Sequence, residues 1–586
     1  MGHVIFPRCE NKMKRLLILI VLVLAGCGDR EPEQTPEDVI QEVHSELPSP
    51  TPNEITPQAP NQQLTSGRNI HQEKALAEKL LHQIHSRGVI TDKQAEFFSK
   101  SLFVNSIELN NLTTITDRQA KLLSKVSRIK ANGLTSITEK QAGFFGSLST
   151  LELNGLTALS DSQAESLSNI GNILSLNGLT TLTDLQAESL SKIKSLSLNG
   201  LTNITAKQAI SLSKVFSLEI DTFRKKTKEF AEQVNTQRTI TDEQAERLSI
   251  IHYIDDSVLL RLNGLTSITD EQAGILNKAP DIQLNGLTSI TEKQADLFSS
   301  CFWLELNSLT SLSDSQAESL SKVGNLIVEG LTSISNAQAE SFSKTPALFL
   351  SGLTSITDQQ AKSLSKVEEL YLNGLTSITD EQAESLSQAH RLLLSGLTSI
   401  TDEQAESLSK VSVLGLSSLT SITDQQAESL SKDIATLFLN GLTSISDQQA
   451  ESLSKVETLY LNGLTSITDQ QAESLSKVET LHLNGLTSIT DKQAESLSKD
   501  ISTLSLSGLT SITDQHARSL SKVEILYLNG LTSISDQQAE SLSNVSVLGL
   551  RGLTSMTDEQ AESLSKVKYM GVSNALQPLI DKYKKQ

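Results

Sequence analysis

A five-residue motif, Thr/Ser-Asp-x-Gln-Ala with minor variants, recurs along this chain with its alanine at Ala95, Ala120, Ala142, Ala164 and onward to Ala561, 21 times in all. Of the 20 intervals, 17 are 22 or 23 residues, and the exceptions are the first, of 25, and two consecutive ones of 36 and 28. A fixed period this short means units that cannot each close a core, so the chain must fold as a stacked array. The rule of one domain per ~150 residues therefore does not apply to it.

The unit from Val456 to Lys477 serves as the type. Leu459 and Leu461 alternate with Thr458, Tyr460 and Asn462, the two-residue period of a short strand with one buried face. Gly463 and the Thr-Ser pair turn the chain, and Thr468-Asp-Gln-Gln471 is a capping box that starts a helix. Asp469 in its first turn and Lys477 near its end suit the helix dipole. A helix of about nine residues is not stable alone. Val456, Leu459, Leu461, Leu464, Ile467, Ala472 and Leu475 point inward, and stacking is what buries them. Strands pack ~4.8 Å apart and helices 8–10 Å apart, so the expected fold is an α/β solenoid, curved, with a parallel sheet on its concave face and short helices on its convex face.

The spacing L-x-x-L-x-L-x-x-L-x-x-I-T-D-x-x-A-x-x-L resembles a leucine-rich repeat, most closely the cysteine-containing, ribonuclease-inhibitor-like subtype, over roughly Thr91 to Val572. Leucine, as at Leu464, replaces the cysteine of that subtype, Gln-Ala replaces its Gly-Leu, and the unit is shorter. The resemblance implies a protein-recognition scaffold. Some eukaryotic members select substrates for ubiquitin ligases, but no companion adaptor domain accompanies these repeats.

The N-terminal segments read differently. Met13 to Cys27, MKRLLILIVLVLAGC, has basic residues, an apolar run and small residues before a cysteine, the pattern of a signal peptide. The run is about half of the ~20 residues that cross a bilayer. Leu24-Ala25-Gly26-Cys27 resembles the lipobox of bacterial lipoproteins, which implies lipidation at Cys27 and a place in the cell envelope. Gly28 follows the cysteine, which in such lipoproteins favours the outer membrane. Residues 1–12 then read as a mis-assigned start or an extended basic region. Residues 28–66 hold seven of the eleven prolines and form a tether that cannot bury a core. Residues 67–90 carry Leu76, Leu80, Leu81 and Ile84 at helical spacing and read as a capping helix ended by Gly88. A first array follows over 91–215, an irregular junction over 216–258, a second array over 259–572 and a C-terminal cap over 573–586.

The repeats differ chiefly at the central outward residue of each strand. It reads Glu108, Lys130, Glu152, Ser175, Ser197, Arg261, Gln283 and Glu305, and then Ile327, Phe349, Tyr371, Leu393, Gly415, Phe438, Tyr460, His482, Ser505 and Tyr527. The concave face is thus polar at first and aromatic-apolar afterward. Ile327, Phe349, Tyr371, Leu393, Phe438, Tyr460, His482 and Tyr527 are the candidate site for a protein or peptide partner, since Tyr and Phe supply contact area at low entropic cost. The competing account is that these rings stack on one another across the ladder.

Other features point away from chemistry. A net charge of -20 opposes nucleic acid and anionic membrane surfaces, leaving the lipid anchor as the only expected membrane contact. Cys9, Cys27 and Cys301 are too few for a disulfide framework or a structural zinc site. His82 and His85 have metal-like spacing without a third ligand, Cys301 reads as a core residue, and His516 takes the capping-glutamine slot. The basic stretch Phe223 to Phe230 reads as part of a degenerate junction between duplicated arrays, with a partner-binding excursion as the alternative. No G-x-S-x-G, H-E-x-x-H or G-x-x-x-x-G-K-[ST] occurs. The expectation is a non-enzymatic binding protein with no cofactor and no metal; the alternative is a structural or adhesive envelope element without a single defined site.

Overall fold

The threonine and glutamine of the motif fix where each helix begins. In the computed structural model, which describes residues 70–101, 104–254 and 259–584, the Thr468 hydroxyl accepts the Gln471 amide at 3.0 Å while the Gln471 side-chain oxygen accepts the Thr468 amide at 2.9 Å. The helix Asp469–Leu475 follows from that box. It is seven residues long, shorter than the sequence suggests: the chain leaves the helix at Ser476 and then turns Val478 into the same core.

The same two residues also join the units. Gln471 Nε2 donates to the carbonyl of Ile445 in the preceding unit at 2.8 Å, and the Thr468 hydroxyl donates to Asp447 at 3.0 Å. Both bonds recur along the chain, as at Gln141 with Ile115 and Thr138 with Asp117. Capping at the helix start and adhesion to the previous unit are therefore one device.

On the other side of each unit, asparagines form a second line. The amide of Asn484 donates to Asn462 Oδ1 at 3.0 Å, and that of Ser507 to Asn484 Oδ1 at 2.9 Å. Gly463 lies beside this line at ordinary backbone angles, so its role is space: a Cβ there would come within 2.3 Å of the Asn440 carbonyl oxygen.

Leu459, Leu461, Leu464, Ala472 and Leu475 are fully buried, as the strand and helix periods require. The strands form a six-stranded sheet from Ser106–Glu108 to Ser217–Glu219 and a 15-stranded sheet from Leu260–Arg261 to Tyr569–Gly571. Every pairing is parallel and joins strands of consecutive units. The core divides likewise, one cluster running from Ala77 to Ile251 and the other from Val234 to Ile580. The C-terminal helix Gln577–Lys584 turns Ile580 into the end of the second cluster.

The junction is more regular than the failing period suggests. The helix Asp221–Gln237 ends at Arg238, and the opening helix Ile70–Arg87 ends at Gly88. These are the two positive-φ residues among the described ones, at 63° and 66°. Each is followed by x-Ile-Thr-Asp and a repeat helix, Asp92–Lys100 or Asp242–Ser249. His85 Nε2 lies 2.8 Å from the carbonyl of Glu108, and Asn235 Nδ2 donates to that of Arg261 at 3.1 Å. Glu108 and Arg261 end the first strand of their sheets, whose outer edge no earlier strand among the described residues covers. The junction helix therefore opens the second array as Ile70–Arg87 opens the first. It also closes the first, with Phe223 in one core cluster and Val234 in the other. Across the joint, Arg247 donates to the Thr202 carbonyl and lies 4.5 Å from the Phe230 ring centroid.

The signal peptide, the lipidation candidate Cys27 and the tether fall outside the described residues.

Candidate functional site

The strand register places the central outward residues of the longer sheet on successive rungs: Ile327, Phe349, Tyr371, Leu393, Gly415, Phe438, Tyr460, His482, Ser505 and Tyr527. None of them belongs to the core cluster, whereas the residues on either side of each, leucines except for Val328, do. Period-two alternation thus sets this column on the face opposite the core.

The column is not as open as its sequence suggests. Phe349 and Tyr371 stack at 3.8 Å with 11° between their planes, Phe438 and Tyr460 at 4.3 Å, and Tyr460 and His482 at 4.1 Å with 5° between them. These spacings are tighter than the ~4.8 Å between strands, so the rings spend their faces on one another and keep only edges for solvent. Ile327, Phe349, Tyr371, Leu393 and Phe438 are buried; Tyr460, His482 and Tyr527 stay half-buried. The expectation of an exposed column is corrected for those five by mutual packing. Glycines do not open gaps in it: Leu393 Cδ2 lies 2.5 Å from where a Cβ of Gly415 would sit, and Tyr527 Cδ1 2.7 Å from that of Gly549.

Polar groups that sequence reading passed over finish the surface. The Tyr371 hydroxyl donates to Glu369 at 3.2 Å, and Arg391 Nε lies 3.5 Å from the same carboxylate oxygen. Burial, reinforced by Glu369, pushes the Tyr371 phenol well above its usual range. Burial also raises Tyr460 and takes His482 down to about 4, leaving a neutral imidazole at pH 7 stacked on a tyrosine. At the start of the column, Trp303 Nε1 donates to Glu305 at 2.8 Å and its ring lies 6.0 Å from Phe349. Glu369, Arg391 and Trp303 sit two positions before the central residue, where most other strands hold uncharged residues such as Thr458 or Thr480, and that departure was the available signal.

The first array's column is ionic instead. Lys130 lies 3.5 Å from Glu108 and 3.3 Å from Glu152, and the bond and charge of Glu152 hold its amine above the ordinary lysine range.

The remaining candidates resolve into structure. His85 bonds a carbonyl, as described, and no group of three or more His, Cys, Asp or Glu among the described residues could hold a metal. Cys301 is buried, with its thiol pushed up to about 12 by desolvation. His516 accepts the Thr513 amide through Nδ1 at 3.3 Å and lies 3.0 Å from Asp491 through Nε2. No helix among the described residues is long and apolar enough to cross a membrane.

The leucine ladder, the parallel in-register strands and the short helices on the other face decide the fold. The chain is a leucine-rich-repeat solenoid. Among solved structures it is similar to an internalin, InlF, of Listeria monocytogenes, at 12% identity over 77% of this chain and 94% of that one with a TM-score of 0.19. It is also similar to the functional domain of InlJ from Listeria monocytogenes, which includes a cysteine ladder, at 14% identity over 67% of this chain and 69% of that one with a TM-score of 0.24. No family model and no curated protein matches the chain.

Proposed function

We propose that this chain is a non-enzymatic binding protein of the bacterial cell envelope, anchored by a lipid on Cys27, that captures a protein or peptide on the strand face of its second array. The candidate contact residues are Ile327, Phe349, Tyr371, Leu393, Phe438, Tyr460, His482 and Tyr527. The observation that carries the reading is the Phe438–Tyr460–His482 stack, held outside the core at 4.3 and 4.1 Å. Such a stack is already ordered, so a partner meets apolar edges whose side-chain entropy is spent in advance. Direct contact falls to Tyr460, His482 and Tyr527, with the buried members as their support. Binding of this kind uses no cofactor, and the charge of -20 keeps nucleic acid away.

The burial of five column residues, three of them rings, favours a second reading, in which the column stiffens a structural or adhesive element that has no single site. Replacing Tyr460, His482 and Tyr527 together by serine separates the two. Loss of a partner captured from envelope extract by the wild-type chain, with the melting profile kept, supports capture on this face; undiminished capture leaves the structural reading.

A further inference from the structure

The connectors that run from each helix to the next strand form a rim along one edge of each array, and the two rims differ in charge. In the first array they read SKVSR (124–128), GSLST (146–150), SNIGNI (168–173), SKIKS (191–195) and SKVFS (213–217), with basic residues and no acidic one. In the second array the exposed Glu368, Glu457, Glu479 and Glu524 stand two residues after Lys366, Lys455, Lys477 and Lys522 and offset them, while Lys322, Lys344, Lys410 and Lys566 have no acidic residue in their connectors.

The unbalanced charge gathers at the last two units of the first array. Strand register pairs Ser195 with Ser217, and the Ser217 amide donates to the Lys194 carbonyl at 3.1 Å. Lys194 and Phe216 therefore occupy neighbouring rungs, with Lys192 and Lys214 on the same two rungs two residues earlier. All four side chains are exposed, Phe216 at 81% the most of any large apolar residue described. Ile173 extends the rim one rung further, and Ile210 stands exposed in the helix Ala206–Leu212 that leads to Lys214. That helix has alanine and isoleucine at Ala206 and Ile210, where the repeats usually carry Asp and Glu, so its acidic charge is gone as well.

We propose that this rim is a second docking surface, separate from the strand face, and that its occupant is an acidic polypeptide segment carrying apolar side chains. Charge complementarity sets the sign, because three lysines without described acidic partners stand on a chain of net charge -20. The apolar half of the partner follows from Phe216, Ile173 and Ile210, whose exposure a phosphate backbone would leave unrelieved.

The test uses the full chain with a fluorescent synthetic peptide alternating Glu with Phe and Leu, a lysine counterpart of that peptide, and vesicles containing anionic phosphatidylglycerol. The wild-type chain should bind the acidic peptide and ignore the lysine one. Lys192→Glu, Lys194→Glu and Lys214→Glu together should weaken binding about tenfold or more at low salt, Phe216→Ser by about threefold, and added salt should erode the first effect more than the second. These side chains are exposed, so unchanged melting profiles are expected and show that folding is intact. Equal binding by the triple variant, no binding of the acidic peptide, or retention on vesicles alone overturns the proposal. The strand-face substitutions Tyr460→Ser, His482→Ser and Tyr527→Ser should leave acidic-peptide binding unchanged, which keeps the two surfaces distinguishable.

Discussion

Along the six-stranded sheet the central outward position carries an ion pair line, Glu108, Lys130 and Glu152, then two serines and Glu219; along the longer sheet the same position carries stacked rings. The scaffold beneath is the same in both. Gln141 and Gln471 reach back to the preceding unit's carbonyl at 2.8 Å in each case, and Ile129 and Ala131 beside Lys130 are as buried as Leu459 and Leu461 beside Tyr460. Frame and face are thus set by different residues: inward apolar side chains and inter-unit hydrogen bonds fix the frame, and the outward position changes from ions to rings while that frame is kept.

The largest expected effect tests whether the two frames are equivalent. A Cβ at Gly463 would meet the Asn440 oxygen at 2.3 Å, and one at Gly178 in the first array would meet the Asn154 oxygen at 2.4 Å. Gly463→Val and Gly178→Val should each lower local opening free energy by about 4 kcal/mol, since backbone oxygen cannot step aside. Hydrogen exchange followed by mass spectrometry reads this unit by unit. A large loss at one position and none at the other would break the equivalence.

The second prediction concerns acid. His482 is held neutral in the fold, at about 4 against 6.5 unfolded, so the unfolded chain binds the extra proton first. Its stabilising effect is complete above pH 6.5 and disappears as pH falls toward 4, a loss of about 3 kcal/mol in the units around it. His482→Phe should flatten that loss, while the first array, with no histidine in its column, should show no matching step. An unchanged acid profile in the variant would detach the effect from the stack.

The smallest effect is expected at Lys130. Lys130→Met should change exchange rates near Glu108 and Glu152 only slightly, and high salt should erase the difference, because exposed ion pairs are screened. A salt-independent loss there would mean that the first array's face supports its frame after all.

Much of this was legible beforehand. The capping box, the strand alternation and the inward set from Val456 to Leu475 follow from periods of 2 and 3.6. The second role of Gln471 was not, because a sequence shows which amide a capping side chain satisfies within its own unit and hides the carbonyl its other end finds in the unit before. The burial of Phe349 and Tyr371 was hidden for a related reason: alternation assigns a face, whereas exposure depends on what stands on the next rung. The junction did carry a signal, since Arg238-Thr-Ile-Thr-Asp242 copies Gly88-Val-Ile-Thr-Asp92, but an arginine in the place of glycine masks it. Left-handed backbone there is reserved mainly for glycine and asparagine.

The glutamine that starts each helix and grips the preceding Ile carbonyl has one more implication. A unit with this glutamine sends its plug back to the unit before it and offers its own Ile carbonyl as the socket for the unit after it, so away from the His516 unit, excising or duplicating a whole 22-residue length leaves ends that still mate. Recombination between near-identical units can therefore lengthen or shorten the protein without redesigning it, and the number of rungs is a quantity that heredity can tune on its own.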